Sequence, residues 1–553
     1  MKVHSDILRV YRSLHTWVGI CSGLLLFIGF FAGALTMFKQ PLDRWISPPP
    51  QQMAQLDAAQ LDALVPRILA AHPAARHEFT LELQRREDVA APMQWSEGGS
   101  GRELALSGNR WLASLDAKGA VVTEAVTPSL FGDLVDMLHR TGGIPGFLAD
   151  EYLGVYVLGI AGVLYFLALV SGVILLLPTL VKDFFALRPG KNNKRFWLDA
   201  HNIVGITSLP FHIVISLTVI VFAFHDQFYD ALNEVVYADA PMFGPRAATA
   251  EAYAFKDLLP PSQLIERVRA EAPGFEVTDL LYMGLESPRP LVRAGVYDAA
   301  ALVHGPITGY VGIHPYTGEI TMTDMLPGKT DTWGGIVNYF FALHFGSFGG
   351  NLVRWIYFFL GLSGAFLFYS GNLLWIERRR KKARRNAAAG TAPEQSRNTR
   401  WMAAATVGIC LGSVIGVCLA LVAGKWASAF ADNINHTYLT VYYSGFLLAV
   451  VFSCWRGAAA AWQLLLACAA SCALIPLTSL AAVLLPGLGL WAHGSAAALG
   501  VDITGLAGAL VFAWAARRSR RRALGGGRDS VWSAVPAQAG DTSSENAGEG
   551  EMA

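Results

Sequence analysis

Residues 201–224, HNIVGITSLPFHIVISLTVIVFAF, constrain this chain more than any other stretch. The segment is apolar and about 24 residues long, so as a helix it covers roughly 36 Å, enough to cross a bilayer. It also carries His201 and His212. On one straight helix these two fall within about 20° of the same face, roughly 16 Å apart along the axis. Ionisable groups inside a membrane are costly and usually face a bundle interior, where they do a job. The opening His201-Asn-Ile-Val-Gly205 echoes His15-Thr-Trp-Val-Gly19 in the first apolar run. The echo points to a site with two-fold pseudo-symmetry.

Similar apolar runs recur along the chain. With 53% hydrophobic and only 15% charged residues, an ordinary soluble domain is excluded and a multi-span membrane protein is expected. The first run is too long for a signal-peptide core and reads as a retained anchor. The expected order is an N-terminus and span one (1–38), a soluble section (39–150), span two (151–179) and a basic loop (180–200). Span three follows (201–224), then a second soluble section (225–350), span four (351–376) and a basic linker (377–400). A bundle of four further spans (401–522) and a disordered tail (523–553) complete it. Arg9 and Arg12, Arg188 and Arg195, Arg378 to Arg385, and Arg517 to Arg522 all fall on one side, which puts both termini in the cytoplasm. The fold class is thus a multi-span α-helical membrane protein of about eight helices. Two small α+β domains outside the membrane are inserted between spans 1 and 2 and between spans 3 and 4.

The first half reads span, soluble section, span, and so does the second. Each soluble section closes on an amphipathic run ending in a histidine: Leu130 to His139 and Trp333 to His344. Each following span carries a late Ser-Gly pair, Ser171-Gly172 and Ser370-Gly371, which allows close helix approach. This is a parallel repeat, its axis along the membrane normal. Within the soluble sections, Asp116 to Gly119 and Pro315 to Gly318 have hairpin-turn chemistry.

On Leu14-His15-Thr-Trp-Val-Gly19, Leu138-His139, Leu198-Asp-Ala-His201-Asn-Ile-Val-Gly205, Pro315-Tyr-Thr-Gly-Glu-Ile320 and Leu343-His344-Phe-Gly, the chain resembles the PepSY-associated transmembrane helix family. These are iron-regulated bacterial inner-membrane proteins of the ferric-siderophore reductase type. The resemblance covers about residues 14–376. It implies a bacterial inner-membrane location, periplasmic PepSY-like domains and a four-helix core holding two b-type haems. The last four spans lie outside it.

Low-spin haem iron takes two neutral imidazoles, each held through its second ring nitrogen. The expected topology sorts the histidines by depth. His15 and His201 lie at the cytoplasmic ends of spans one and three, and His139 and His344 at the outer ends of spans two and four. Two such pairs place one haem in each leaflet. Taken singly, each also suits an interfacial histidine bonded to headgroups; the fourfold pattern favours ligation. His212 stands where span one has Leu26, beside Pro210. It is either an alternative ligand in place of His201 or a core histidine bonded to the carbonyl that the proline frees. His72, His77, His304 and His314 read as surface histidines. The six cysteines sit in or beside apolar segments and read as packing residues.

No cytoplasmic stretch is long enough for a flavin or nicotinamide domain, and no G-x-G-x-x-G or P-loop occurs there. A reductase of this kind therefore needs a separate donor, a quinol or a reduced flavin. The leading reading is a di-haem transmembrane conduit reducing a periplasmic ferric chelate, a ferric siderophore above all. The alternatives are a non-enzymatic peptide- or protein-binding regulator and a transporter. The lipid bilayer is an expected partner; nucleic acid is not.

Overall fold

The computed structural model describes residues 4–49, 52–86, 89–97, 108–148, 151–180, 188, 193–237, 253–301, 309–330, 332–387, 393, 395–428, 430–431 and 433–535. Most of the expected loop at 180–200, the tail from 536, and His304 lie outside the described residues. The chain forms two compact units. The first comprises Met1–Ile46, Phe131–Ala223 and Phe358–Ala553; the second comprises Ser47–Leu130 and Phe224–Tyr357.

In chain order, α1 (Ser5–Thr36) and the short α2 (Lys39–Ile46) lead to α3 (Ala58–Ala71). Strands β1 (Glu78–Glu82), β2 (Met93–Ser96), β3 (Arg110–Leu115) and β4 (Val121–Val126) follow, then α4 (Phe131–Thr141). The two-residue strands β5 (Phe147–Leu148) and β6 (Glu151–Tyr152) precede α5 (Leu153–Leu176). Next come α6 (Asn193–Thr207), α7 (Leu209–Ala223), α8 (His225–Leu232) and α9 (Pro261–Glu271). Strands β7 (Glu276–Met283), β8 (Leu291–Tyr297), β9 (Tyr310–Ile313) and β10 (Ile320–Met322) lead to α10 (Thr332–Phe345) and α11 (Gly350–Asn386). The chain ends in α12 (Arg397–Ala427), α13 (Ile434–Arg456), α14 (Ala461–Leu484) and α15 (Ala496–Gly525).

Among the described residues, seven helices are long and apolar enough to cross a membrane, and eight crossings result if the bent pair α6–α7 counts as one. This meets the expected count of about eight. Span three differs from its expectation. It begins at Asn193 instead of residue 201, and it bends by 70° between Thr207 and Leu209. Pro210 is the cause. It lacks the N–H that would bond to Ile206, its ring crowds the preceding turn, and it disfavours helical backbone at Leu209. The Ser208 N–H still bonds to the Val204 carbonyl at 3.0 Å, and the Ser208 carbonyl accepts the His212 N–H at 3.0 Å, restarting the ladder. His201 and His212 therefore lie on two differently directed helices, not on one face of a straight one.

In the first unit, α1 packs along α5 and α4, and α5 along α7. Phe27, Phe30, Leu158, Tyr165 and Phe368 form the core between them. The four later helices form a second bundle. Gly408, Gly412 and Gly416 line up one turn apart on α12 and let α13 come close: a Cβ at Gly408 lies 2.9 Å from the Val450 Cα, and one at Gly416 lies 2.9 Å from the Tyr442 carbonyl.

In the second unit the strands form one antiparallel sheet of order β10-β9-β8-β7-β1-β2-β3-β4. The sequence reading expected two small domains; here the strands of both soluble sections share one sheet. The junction is β1 with β7, from Glu78 opposite Met283 to Glu82 opposite Asp279. Each half alone leaves an apolar edge strand open, and pairing the two edges closes both. Phe79 stacks on Tyr282 across the junction at 4.3 Å. Leu61, Leu64 and Ile68 of α3 and Leu264, Ile265 and Val268 of α9 bury against the same core. Ser262 ties these helices together, donating from its N–H (2.9 Å) and hydroxyl (2.6 Å) to Asp62.

Candidate functional site

His15, His201 and His139 of the first unit are each held through one ring nitrogen. His15 lies eleven residues into α1, half-buried against α5. Its Nδ1–H donates to the Ala168 carbonyl at 2.9 Å. A carbonyl only accepts, so the proton is on Nδ1 and Nε2 carries the lone pair. Ser171 Oγ stands 3.4 Å away, and a Cβ at Gly172 would come within 3.2 Å of the ring.

His201 repeats this arrangement in the second half. Its Nδ1 lies 2.9 Å from Ser370 Oγ on α11. The Ser370 hydroxyl already donates to the Leu367 carbonyl at 3.1 Å, so it accepts from His201 and again leaves the lone pair on Nε2. Gly371 faces the ring, with its Cβ position 3.7 Å from Cε1. The two Ser-Gly pairs are thus the histidine seats of their own halves, not merely places of close helix approach.

His139 lies in the last turns of α4. The buried face of that helix (Phe131, Leu134, Val135, Leu138) turns it towards α1. Its Nδ1–H donates to the Gly29 carbonyl at 2.8 Å. The ring occupies the space beside Gly33, where a Cβ would stand 2.6 Å from Nδ1; only glycine leaves room there. Lys39 of α2 pairs with Asp133 at 2.5 Å, and the Gly132 N–H donates to Asp43 at 2.9 Å, which fixes α4 along α2. His344 belongs to the second unit. It is half-buried near the end of α10, with its ring edge-on to Phe345 at 5.3 Å.

His212 is fully buried. It packs against Phe30, Tyr165 and Phe211, with ring centroids 5.6, 6.0 and 5.3 Å away. Among the described residues, neither ring nitrogen has a hydrogen-bond partner, nor has the Tyr165 hydroxyl. The expected bond to a carbonyl freed by Pro210 is not made. Leaving a buried polar group unsatisfied costs about 1–3 kcal/mol, so this histidine is held at a cost. His212 also sits at Phe30, about 22 Å up α1 from His15, and therefore does not stand in for His201 beside His15. It shares the level of His139, whose partners are Gly29 and Gly33.

Sequence reasoning missed several groups. Asp199, two residues before His201, is buried and takes a two-pronged bond from Arg188, both at 3.0 Å. Lys425 on α12 is fully buried; among the described residues its Nζ has no hydrogen-bond partner and lies 4.0 Å from the centroid of the Trp45 ring. Trp45 in turn donates to Asp502 at 3.0 Å. The signal was a single charge near the end of a long apolar run, which α12 carries on past Lys425 to Ala427.

Chemically, three imidazoles with the proton fixed on Nδ1 present Nε2 as a metal ligand or proton acceptor. Among curated proteins none matches the chain. The family described as PepSY-associated TM region matches residues 12–378, taking in both halves of the repeat and His15, His139, His201, His212 and His344. That match spans more than half of the 553 residues, and the chain belongs to the PepSY-associated transmembrane family.

Proposed function

We propose that the chain is a transmembrane electron conduit. It carries two b-type haems and reduces a ferric chelate, foremost a ferric siderophore, on the periplasmic side of a bacterial inner membrane. A separate quinol or reduced flavin is the electron source. The observation that carries this reading is the shared Nδ1 tether of His15, His139 and His201. A histidine ligand is commonly oriented by such a bond, which also raises the basicity of the ligating nitrogen.

His15 and His201 would hold one haem, and His139 and His344 the other, with His212 as the alternative outer ligand. When bound, such a group supplies an iron couple that passes single electrons. The chain's residues do the positioning. Ala168 and Ser370 set the tautomer and ring plane, Gly33 and Gly172 leave space beside the imidazoles, and Phe30, Tyr165 and Phe368 keep water from the interior. Hard oxygen donors hold ferrous iron less tightly than ferric iron, so reduction outside the membrane releases the metal.

The test is the absorption spectrum of the full chain purified from haem-replete membranes. Soret and α bands with about two haems per chain are expected. A colourless, folded protein overturns the reading in favour of a regulatory binding role for the sheet-bearing unit.

A further inference from the structure

The cysteines of the later bundle include a facing pair. Cys418 on α12 and Cys472 on α14 stand with their sulfurs 3.6 Å apart. One turn before Cys472, the Cys468 thiol donates to the Leu411 carbonyl at 3.6 Å. We propose that Cys418 and Cys472 form a redox-active dithiol, which a lipid hydroperoxide oxidises to a disulfide inside the membrane. Neither the site nor its test depends on bound haem, so this inference stands apart from the conduit reading.

The geometry carries the assignment. A disulfide needs about 2.05 Å between sulfurs, so closure takes a movement of about 1.5 Å from the 3.6 Å contact. The pair sits between two packed helices and not on a loop, and the Cys468–Leu411 bond holds the same two helices together one turn away. A Cβ at Gly508 of α15 would stand 3.2 Å from the Cys472 sulfur; the glycine leaves that sulfur room to turn. Cys472 is 5% exposed, whereas Cys418 is half-buried, so Cys418 is the sulfur that an oxidant dissolved in lipid meets. With the Cys472 S–H donating to it, Cys418 has a neighbour that steadies the charge it develops as its own proton leaves.

The reaction has two steps. The Cys418 sulfur attacks the outer oxygen of the hydroperoxide; an S–O bond forms, the O–O bond breaks, and the thiol proton leaves with the lipid alcohol. The Cys472 sulfur then attacks the resulting sulfenic sulfur; the S–S bond forms, the S–O bond breaks, and the hydroxyl departs as water with the second thiol proton. Two electrons pass from the thiols to the peroxide. The new bond joins α12, which packs closely on α13, to α14, which packs closely on α15.

The experiment treats the full reduced chain in lipid vesicles with cumene hydroperoxide, then denatures it, alkylates it with N-ethylmaleimide and counts the adducts by mass spectrometry. Loss of two of the six alkylations is expected, with Cys418 and Cys472 in one cross-linked peptide that dithiothreitol separates. This count on the unaltered chain needs no variant to fold. Cys472→Ser should leave Cys418 as a sulfenic acid that dimedone captures, and Cys454→Ser should leave the cross-link intact. Six alkylations after treatment overturn the proposal, as does a cross-link through Cys468 in place of Cys472. Closure as fast with hydrogen peroxide as with cumene hydroperoxide overturns lipid as the source of the oxidant.

Discussion

The two halves of the membrane repeat differ in how they hold the same histidine. In the first, His15 is tied to a backbone carbonyl, Ala168, on an unbroken helix. In the second, His201 is tied to a side chain, Ser370, on a helix that bends by 70° a few residues later. A backbone acceptor survives any substitution that keeps the helix, whereas a hydroxyl can be lost to one. The contrast separates what the site requires, an Nδ1–H acceptor at this depth, from the means by which each half supplies it. The bend also turns α7, with the buried His212, away from the direction of α6, whereas α1 runs unbroken.

The largest effect is expected where the halves are equivalent. His15→Ala and His201→Ala should each remove about half of the bound haem, leaving the same residual spectrum and stopping ferric-chelate reduction from the donor side. Unequal residual spectra would break the equivalence. At the outer level, His344→Ala should remove the other half, while His212→Leu, which restores the residue of the first half, should keep both haems and raise thermal stability by about 1–3 kcal/mol. Loss of haem in His212→Leu would instead transfer the outer ligand to span three.

Next in size is the tether itself. Ser370→Ala should lower haem retention about 10–100-fold, by the usual cost of losing an outer-shell partner, whereas Ser171→Ala should change it little because Ala168 still accepts from His15. Equal losses in a haem-transfer assay would mean that the hydroxyls carry both sites. The smallest effect lies outside the repeat. Burial alone would raise the Asp529 carboxyl, but the Arg380 and Arg384 guanidiniums hold it below its ordinary value. A lowered folded value contributes stability above the unfolded pKa, about 3.8, which is lost as the pH falls through the folded one. As the pH falls below about 3.8 and through that lower folded value, the segment around Trp532 should become open to proteolysis, and Asp529→Asn should make it so at neutral pH.

Much of this was legible in the sequence because bilayer length and hydrophobic runs leave few choices. The spans, the repeat and the His15–His201 correspondence follow from apolar stretches and an echoed motif. The bend at Ser208 was signalled by Pro210, yet a proline within an apolar run predicts a kink without its size. The joined sheet was hidden because β1 and β7 each read as a satisfactory strand of its own half; nothing local says whose edge each will meet. The charges of the later bundle were missed because Lys425 and Asp502 are single charges set in long apolar runs, where hydropathy alone reads membrane-spanning helix. The same bundle reads as a detachable addition in the sequence, but Trp45 donates to Asp502 and Asn372 to Thr406, so it is bonded to the core it follows.

The pairing of β1 with β7 sets a schedule for biosynthesis. Glu78 and Met283 are about 200 residues apart, so at ordinary translation rates of about 5–20 residues per second β1 is complete roughly 10–40 s before its neighbour exists. During that wait Phe79 and Leu81 stand on an open strand edge, the kind of surface that recruits other chains. A ribosome stalled between the halves would leave a nascent chain with its membrane helices inserted and its sheet half-finished. The long crossover therefore makes completion of the second half the step that protects the first from aggregation.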